Sequence, residues 1–224
     1  MKYTDKEYCL EVSGPIACFT RPELKVERVS YDVITPSAAR AIFEAILFKK
    51  GAMRWQVTRI DVLAPIRWMS IRRNEVGAVA AKRPIFIEDA RQQRNTLMLR
   101  DVRYRIYAKL VYIPVRNRNL NEMKREPGED ENPQKYYQMF ERRAAKGQCF
   151  TQPYLGTREC AADWRWVDCE HETLEPPIGE DRDFGLMLYD MDYRGRTPEP
   201  MFYRAEMKQG TIVVPPIESE EILR

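Results

Sequence analysis

The chain has 224 residues, 44% hydrophobic and 11% aromatic, with 37 Lys and Arg against 34 Asp and Glu for a net charge of +3. That composition supplies a sizeable core and excludes an intrinsically disordered chain; no apolar run nears the roughly 20 residues that cross a bilayer, and Met1 to Glu7 lack a signal peptide's apolar stretch, so a cytoplasmic protein with no membrane partner is expected. Charge is unevenly spread: residues 67–118 hold 13 Lys and Arg against 4 Asp and Glu, a local +9, whereas residues 119–224 hold 14 against 22, a local −8. A polyanion would be drawn to the first zone and steered by the second, unless folding scrambles the pattern into ordinary solubility.

Residues 7–12 alternate as a strand that Ser13-Gly14-Pro15 is expected to break. Thr35-Pro36 pairs an N-cap with proline at the first helical position, opening a helix with Ala39, Ile42, Phe43, Ile46 and Leu47 on its apolar side and Gly51 as its stop. Residues 54–70 read as strand, interrupted at Pro65. From Arg72 to Arg94 the period is lost, and the basic stretch reads as a loop or hairpin insertion.

Residues 102–112 alternate most clearly. Val102, Tyr104, Ile106, Ala108, Leu110 and Tyr112 would lie under helices, leaving Arg103, Arg105, Tyr107 and Lys109 on a face that suits phosphates and base stacking, or equally plain solvent. A polar, acidic loop at 116–131 leads to a second helix with Asn132 as cap, Pro133 at the first position and Gly147 as stop. Lys135 then sits at a helix N-terminus, where a cation is unfavourable by about 0.3–1 kcal/mol unless an anion joins it. Gln138, Arg142 and Lys146 continue a polar, basic stripe that suits phosphate and is also the face of an ordinary amphipathic helix.

Residues 154–167 read as a further strand, completing β-α-β-β-α-β. This order is the ferredoxin-like or split β-α-β plan of an α+β protein, also used by RNA-recognition modules, although their usual aromatic signature is missing. Beyond Pro176-Pro177-Ile178-Gly179 the pattern is all strand, at 185–192, 201–207 and 211–214, with Lys208-Gln209-Gly210 as a hairpin turn. The expected division is a ferredoxin-like domain over 1–170 and a small antiparallel β-sheet domain over 171–224. Cys9, Cys18, Cys149, Cys160 and Cys169 are odd in number and include no Cys-x-x-Cys pair, so neither a disulfide framework nor a zinc site is indicated. Cys169 with His171 falls two ligands short of a tetrahedral metal site, and no cofactor is expected.

Several blocks are more specific than any single motif: Ala17-Cys18-Phe19-Thr20-Arg21-Pro22, the run 26–40 ending Thr35-Pro36-Ser37-Ala38-Ala39-Arg40, Arg72-Arg73-Asn74-Glu75-Val76, Arg91-Gln92-Gln93-Arg94, and Leu155-Gly156-Thr157-Arg158-Glu159. Through them the chain resembles the Cas-five proteins of type I-C CRISPR systems, in the repeat-associated RAMP group. The resemblance implies a metal-independent endoribonuclease that cuts precursor CRISPR RNA at the repeat hairpin and then remains in the type I-C interference complex, holding the 5′ end of the mature guide. In such chemistry a 2′-hydroxyl attacks the adjacent phosphate and a 5′-hydroxyl leaves, so a base, an acid and a cation are needed. The family places an aromatic or imidazole group near the end of the first helix and a Lys-His pair at the start of the second. Lys135 matches the lysine, Tyr136 stands at the histidine, and Leu47, beside Phe48, Lys49 and Lys50, stands at the first-helix position.

Leucine moves no proton, and a tyrosine with a pKa of about 10 is a poor base at neutral pH. The candidate catalytic residues are therefore Lys135, Tyr136 and Tyr137, with the single histidine, His171, as a relocated alternative. The candidate nucleic-acid contacts are Lys49, Arg72, Arg73, Arg94, Arg103, Arg105, Lys109, Arg142 and Lys146. A non-catalytic RNA-binding scaffold, or nonspecific duplex DNA binding by the basic zone, would use the same cations.

Overall fold

The computed structural model describes residues 5–79, 81–118, 132–169, 171–195 and 197–224; the acidic loop expected at 116–131 lies outside these from residue 119 onward. Strand β1 (Lys6–Ala17) is not broken at Ser13-Gly14-Pro15. Its pairing with the long strand β4 (Arg91–Tyr112) holds on both sides of Pro15, at Gly14↔Val102 and Ile16↔Arg100. Its other neighbour, β5 (Asp163–Val167), pairs only as far as Ser13, so Pro15 lies on an edge where a missing N–H is tolerated.

Helix α1 (Pro36–Ile46) starts as its cap predicts, with Thr35 Oγ1 accepting from the Ala38 N–H at 3.3 Å. It ends at Ile46, well short of Gly51. Tertiary donors take over its last carbonyls: Arg143 Nη1 donates to Ile46 O and Trp55 Nε1 to Leu47 O, both at 2.8 Å. Gly51, at φ +74°, instead serves the turn into β2 (Met53–Val62).

The aperiodic basic stretch is an ordered hairpin. Strand β3 (Trp68–Val76) pairs with the first half of β4 from Trp68↔Leu99 to Val76↔Arg91, with the single-turn helix α2 (Ile87–Ala90) near its tip. Both strands are long enough to leave the main sheet as an arm. Helix α3 (Pro133–Ala145) follows, capped by Asn132 Oδ1, which accepts from the Lys135 N–H at 3.4 Å. The expected strand at 154–167 shrinks to β5, because residues 154–162 form a loop closed by the Tyr154↔Ala161 bridge and Leu155 N–H donating to Cys160 O at 2.7 Å.

Strands β6 (Arg182–Asp192), β7 (Glu199–Lys208) and β8 (Thr211–Val213) complete the chain. The β7–β8 turn places Gln209 at φ +48° and Gly210 at φ +75°, the mirror-image geometry that matches strand twist. β8 pairs with β2, so the C-terminal strands continue one antiparallel sheet in the order β5-β1-β4-β2-β8-β7-β6, with β3 attached to β4. Because β1 and β2 both run antiparallel to β4, they are parallel to each other with β4 between them, which is the split β-α-β arrangement of an α+β fold.

The helices cover the even-numbered face of β4. Tyr8, Phe43, Trp55 and Phe140 form an aromatic cluster there, with ring centroids 4.6–4.8 Å apart for Tyr8–Phe140, Phe43–Trp55 and Trp55–Phe140. Among the described residues no helix is long and apolar enough to cross a membrane.

Candidate functional site

Three segments meet at one end of the sheet: the turn after α1, the end of β4, and the start of α3. Met53 pairs with Tyr112, the Ile113 N–H donates to Ala52 O at 3.0 Å, and the Ala52 N–H donates to Lys49 O at 3.1 Å, which fixes the Lys49-Lys50-Gly51 turn beside the β4 terminus. The Tyr112 ring lies 5.9 Å from the Tyr136 ring, joining the β4 terminus to the first turn of α3. Arg118 folds back over Tyr112 at 5.3 Å, and its Nε donates to Ile113 O at 2.7 Å. Phe48, Lys49, Lys50, Arg116 and Lys135 are all exposed here, so this end presents four cations and an aromatic ring to solvent.

The three catalytic candidates divide. Lys135 is exposed, its Nζ 5.9 Å from the centre of the Tyr136 ring. Tyr136 and Tyr137 are only 3% and 5% exposed and belong to the core. Burial, then the nearby Asp5 charge, push the Tyr137 phenol above its ordinary range against a partial opposing bond from the Lys6 backbone, so even less phenolate is present at neutral pH to take up a proton than with free tyrosine. Leu47 is fully buried; the exposed aromatic at the end of α1 is Phe48, which sequence reasoning passed over because only burial separates the two. Arg116 and Arg118 were likewise missed, the exposure of the first and the place of the second over Tyr112 depending on the fold of the segment after β4.

The other predicted cations fall into separate groups. Arg72 is exposed on one face of the β3–β4 arm, while Arg73 is tied down on the other, donating to Thr96 Oγ1 at 2.8 Å and pairing with Glu75 at 2.7 Å and Glu159 at 3.5 Å. Arg94 is half-buried and donates to Gln92 Oε1 at 2.6 Å. Arg142 and Lys146 are exposed along α3, about 10 and 16 Å up the helix from Lys135 at 1.5 Å per residue.

Arg103, Arg105 and Lys109 lie on the sheet face away from the helices. Arg105 is 2% exposed, and its guanidinium is engaged by Glu11 at 2.7 Å. Burial pulls the Glu11 carboxyl up, but hydrogen bonds from Arg105 and Arg165, with their charges, outweigh it and hold its pKa below the usual carboxylate range. His171 is on the same side, 77% exposed, with Nδ1 2.9 Å from Asp168 Oδ2. It lines a cleft of about 540 Å³ with Lys6, Glu7, Glu141 and Asp168, and these three carboxylates against one lysine disfavour phosphate. Among the described residues no three His, Cys, Asp or Glu side chains are grouped to hold a metal ion.

Residues 7–215 match the family described as CRISPR-associated protein (Cas_Cas5). Two curated relatives named CRISPR pre-crRNA endoribonuclease Cas5d are similar over nearly their whole length. The one from Mannheimia succiniciproducens is 45% identical over 96% of this chain and 97% of its own, and the one from Thermus thermophilus 40% identical over 96% and 94%. Among solved structures, a crystal structure of a CRISPR-associated protein superposes with TM-score 0.70 at 26% identity, covering 99% of this chain and 98% of that one. A chain of a CRISPR RNA-guided surveillance complex shares the fold at TM-score 0.51 and 13% identity, over 94% and 90% of the two chains.

Proposed function

The chain belongs to the Cas5 family of CRISPR-associated proteins, in its Cas5d branch, and from that membership we propose that it is an endoribonuclease that cuts precursor CRISPR RNA at the repeat hairpin and stays on the mature guide as a subunit of the type I-C interference complex, in the cytoplasm. The observation that carries the reading is Lys135, an exposed cation on the first turn of a capped helix, at the sheet end where Lys49, Lys50 and Arg116 are also exposed. A phosphate seated there gains the Lys135 charge and the positive end of the helix dipole together. As the 2′-hydroxyl attacks, negative charge grows on the non-bridging oxygens, and a fixed cation beside them stabilises that state more than the ground state. Phe48 suits stacking on a base that flanks the scissile bond. Arg72, exposed on the arm, would hold the RNA backbone away from the cut, whereas Arg73 and Arg94 on the opposite face are engaged within the protein.

A second reading has its own support. Leu47, Tyr136 and Tyr137, which stand at or beside the family's proton-transfer positions, are all core residues, which favours a scaffold that binds the repeat without cutting it. Incubating the protein with its cognate repeat RNA in EDTA separates the two. Cleavage at the base of the hairpin with a 5′-hydroxyl product supports the nuclease. Tight, repeat-specific binding with intact RNA supports the scaffold, and equal affinity for random duplex DNA at about 150 mM salt would overturn both in favour of nonspecific binding.

A further inference from the structure

The sheet face opposite the helices is covered by a strap. None of residues 171–178 belongs to a strand or helix, and Pro176 and Pro177 bring no N–H to a ladder. Between its ends, which make backbone bonds, the strap is held by side chains. Arg165 Nη1 donates to Glu172 Oε2 at 2.7 Å, Arg103 Nη2 reaches Glu175 Oε2 at 2.8 Å, and Arg105 Nη1 donates to Glu175 O at 3.0 Å. Leu174 packs on Cys9, Tyr107 and Val167, and the Ile178 N–H donates to Val62 O at 2.9 Å.

Beneath it lies an unusually dense set of guanidinium groups. Glu11 pairs with Arg105 at 2.7 Å, with Arg165 at 2.9 Å and, more loosely, with Arg103 at 3.9 Å. Asp61 pairs with Arg59 at 3.2 Å and lies 3.9 Å from Arg105. Four arginines thus face two carboxylates, an excess of two positive charges that Glu172 and Glu175 of the strap offset. The Arg59 guanidinium stacks 3.7 Å over the Tyr107 ring. Beside the strap a cavity of about 230 Å³ opens onto Glu11, Ser13, Asp163, Arg103 and Arg165. Arginines interleaved with an aromatic ring on an open sheet are a composition that binds single-stranded RNA.

We propose that this arginine face is a second RNA-binding surface, closed by residues 171–178, whose Glu172 and Glu175 carboxylates occupy the places of two phosphates, and that single-stranded RNA binds by displacing the strap. The proposal rests on the RNA-processing reading above. Ion pairs as exposed as Arg165–Glu172 contribute little, and between the strap's C-terminal anchor at Ile178 and its start Leu174 is the apolar contact on the arginine face, so a polyanion that satisfies the same arginines competes on favourable terms for residues 171–175.

The test uses the full chain and a single-stranded oligouridylate. The double variant Glu172→Gln/Glu175→Gln should bind it about tenfold more tightly at ~0.15 M salt, with a steeper salt dependence, because two guanidinium groups become available to phosphates. Glu220→Gln/Glu221→Gln, which removes the same charge at the C-terminus, should not. Adding Arg103→Ala and Arg165→Ala should abolish the gain, and in the parent, bound RNA should speed hydrogen exchange at residues 171–175. The proposal falls if the control variant gains as much, if the gain survives loss of the arginines, or if strap exchange is indifferent to RNA. Repeat-hairpin cleavage is measured on the same preparations: cleavage alongside a negative strap result overturns the strap alone, and absence of any RNA binding overturns the RNA reading as well.

Discussion

Replacing Lys135 with alanine tests function apart from folding, because the side chain is exposed on the first turn of α3. A cation on the first turn of α3 opposes the helix dipole by about 0.3–1 kcal/mol, so removing it favours the fold. Against that, the Lys135 Nζ lies 5.9 Å from the centre of the Tyr136 ring, the outer limit of a cation–π contact, and losing it costs about 0.5 kcal/mol. The two nearly cancel, and urea unfolding of Lys135→Ala should fall within about 0.5 kcal/mol of the parent. Single-turnover cleavage of the repeat RNA should slow about 10²–10³-fold, equivalent to about 2.7–4 kcal/mol of lost transition-state stabilisation. Lys135→Arg should recover part of the rate. A loss below about fivefold would remove Lys135 from the chemistry, and a stability loss above about 2 kcal/mol would show that the lysine holds the fold instead.

Gly156 and Gly147 both sit at positive φ, +88° and +62°, but a Cβ at Gly156 would overlap the Cys18 carbonyl whereas one at Gly147 meets nothing within 4 Å. Gly147→Ala should therefore cost about 1 kcal/mol and Gly156→Ala about 3 kcal/mol or more in thermal or urea unfolding; equal costs would refute the close approach. Glu11→Gln should destabilise by about 3 kcal/mol near neutral pH, since it leaves Arg105 buried with weaker compensation. Because the folded-state pKa of Glu11 is depressed, its contribution is present above the ordinary carboxylate pKa and is lost as pH falls through the depressed value, so parent and Glu11→Gln should converge in acid unfolding series. Arg72→Ala should weaken RNA binding and lower its salt slope by about one contact without affecting stability, whereas Arg105→Ala should destabilise the fold; the reverse pattern would mean the burial of these two residues misleads.

The elements that could be read from sequence are those set by neighbours a few residues apart. Thr35-Pro36 and Asn132-Pro133 start helices because a cap and a proline act within one turn. The alternation at 102–112 assigns faces because a strand repeats every two residues, and Lys208-Gln209-Gly210 turns because two positive φ values favour it. The end of α1 was not readable in this way, since its carbonyls find donors on Trp55 and on Arg143, 97 residues from Ile46. Nor was the arm: each strand of the β3–β4 hairpin lacks a clear period because neither of its faces is fully buried.

For the candidate site, residue types and family blocks identified Lys135 and a surplus of arginines, because charge and order along the chain are properties of the sequence itself. Which cations remain available to a phosphate is a tertiary matter. Lys135 and Arg72 are exposed, while Arg105 meets Glu11 across 94 residues and disappears into the sheet. Adjacent tyrosines on α3 are both drawn into the core by a β4 terminus and a β1 start that no local pattern connects to them. The physical reason is the same in each case: propensity and periodicity act over a few residues, whereas burial and ion pairing depend on which distant strand the register brings alongside.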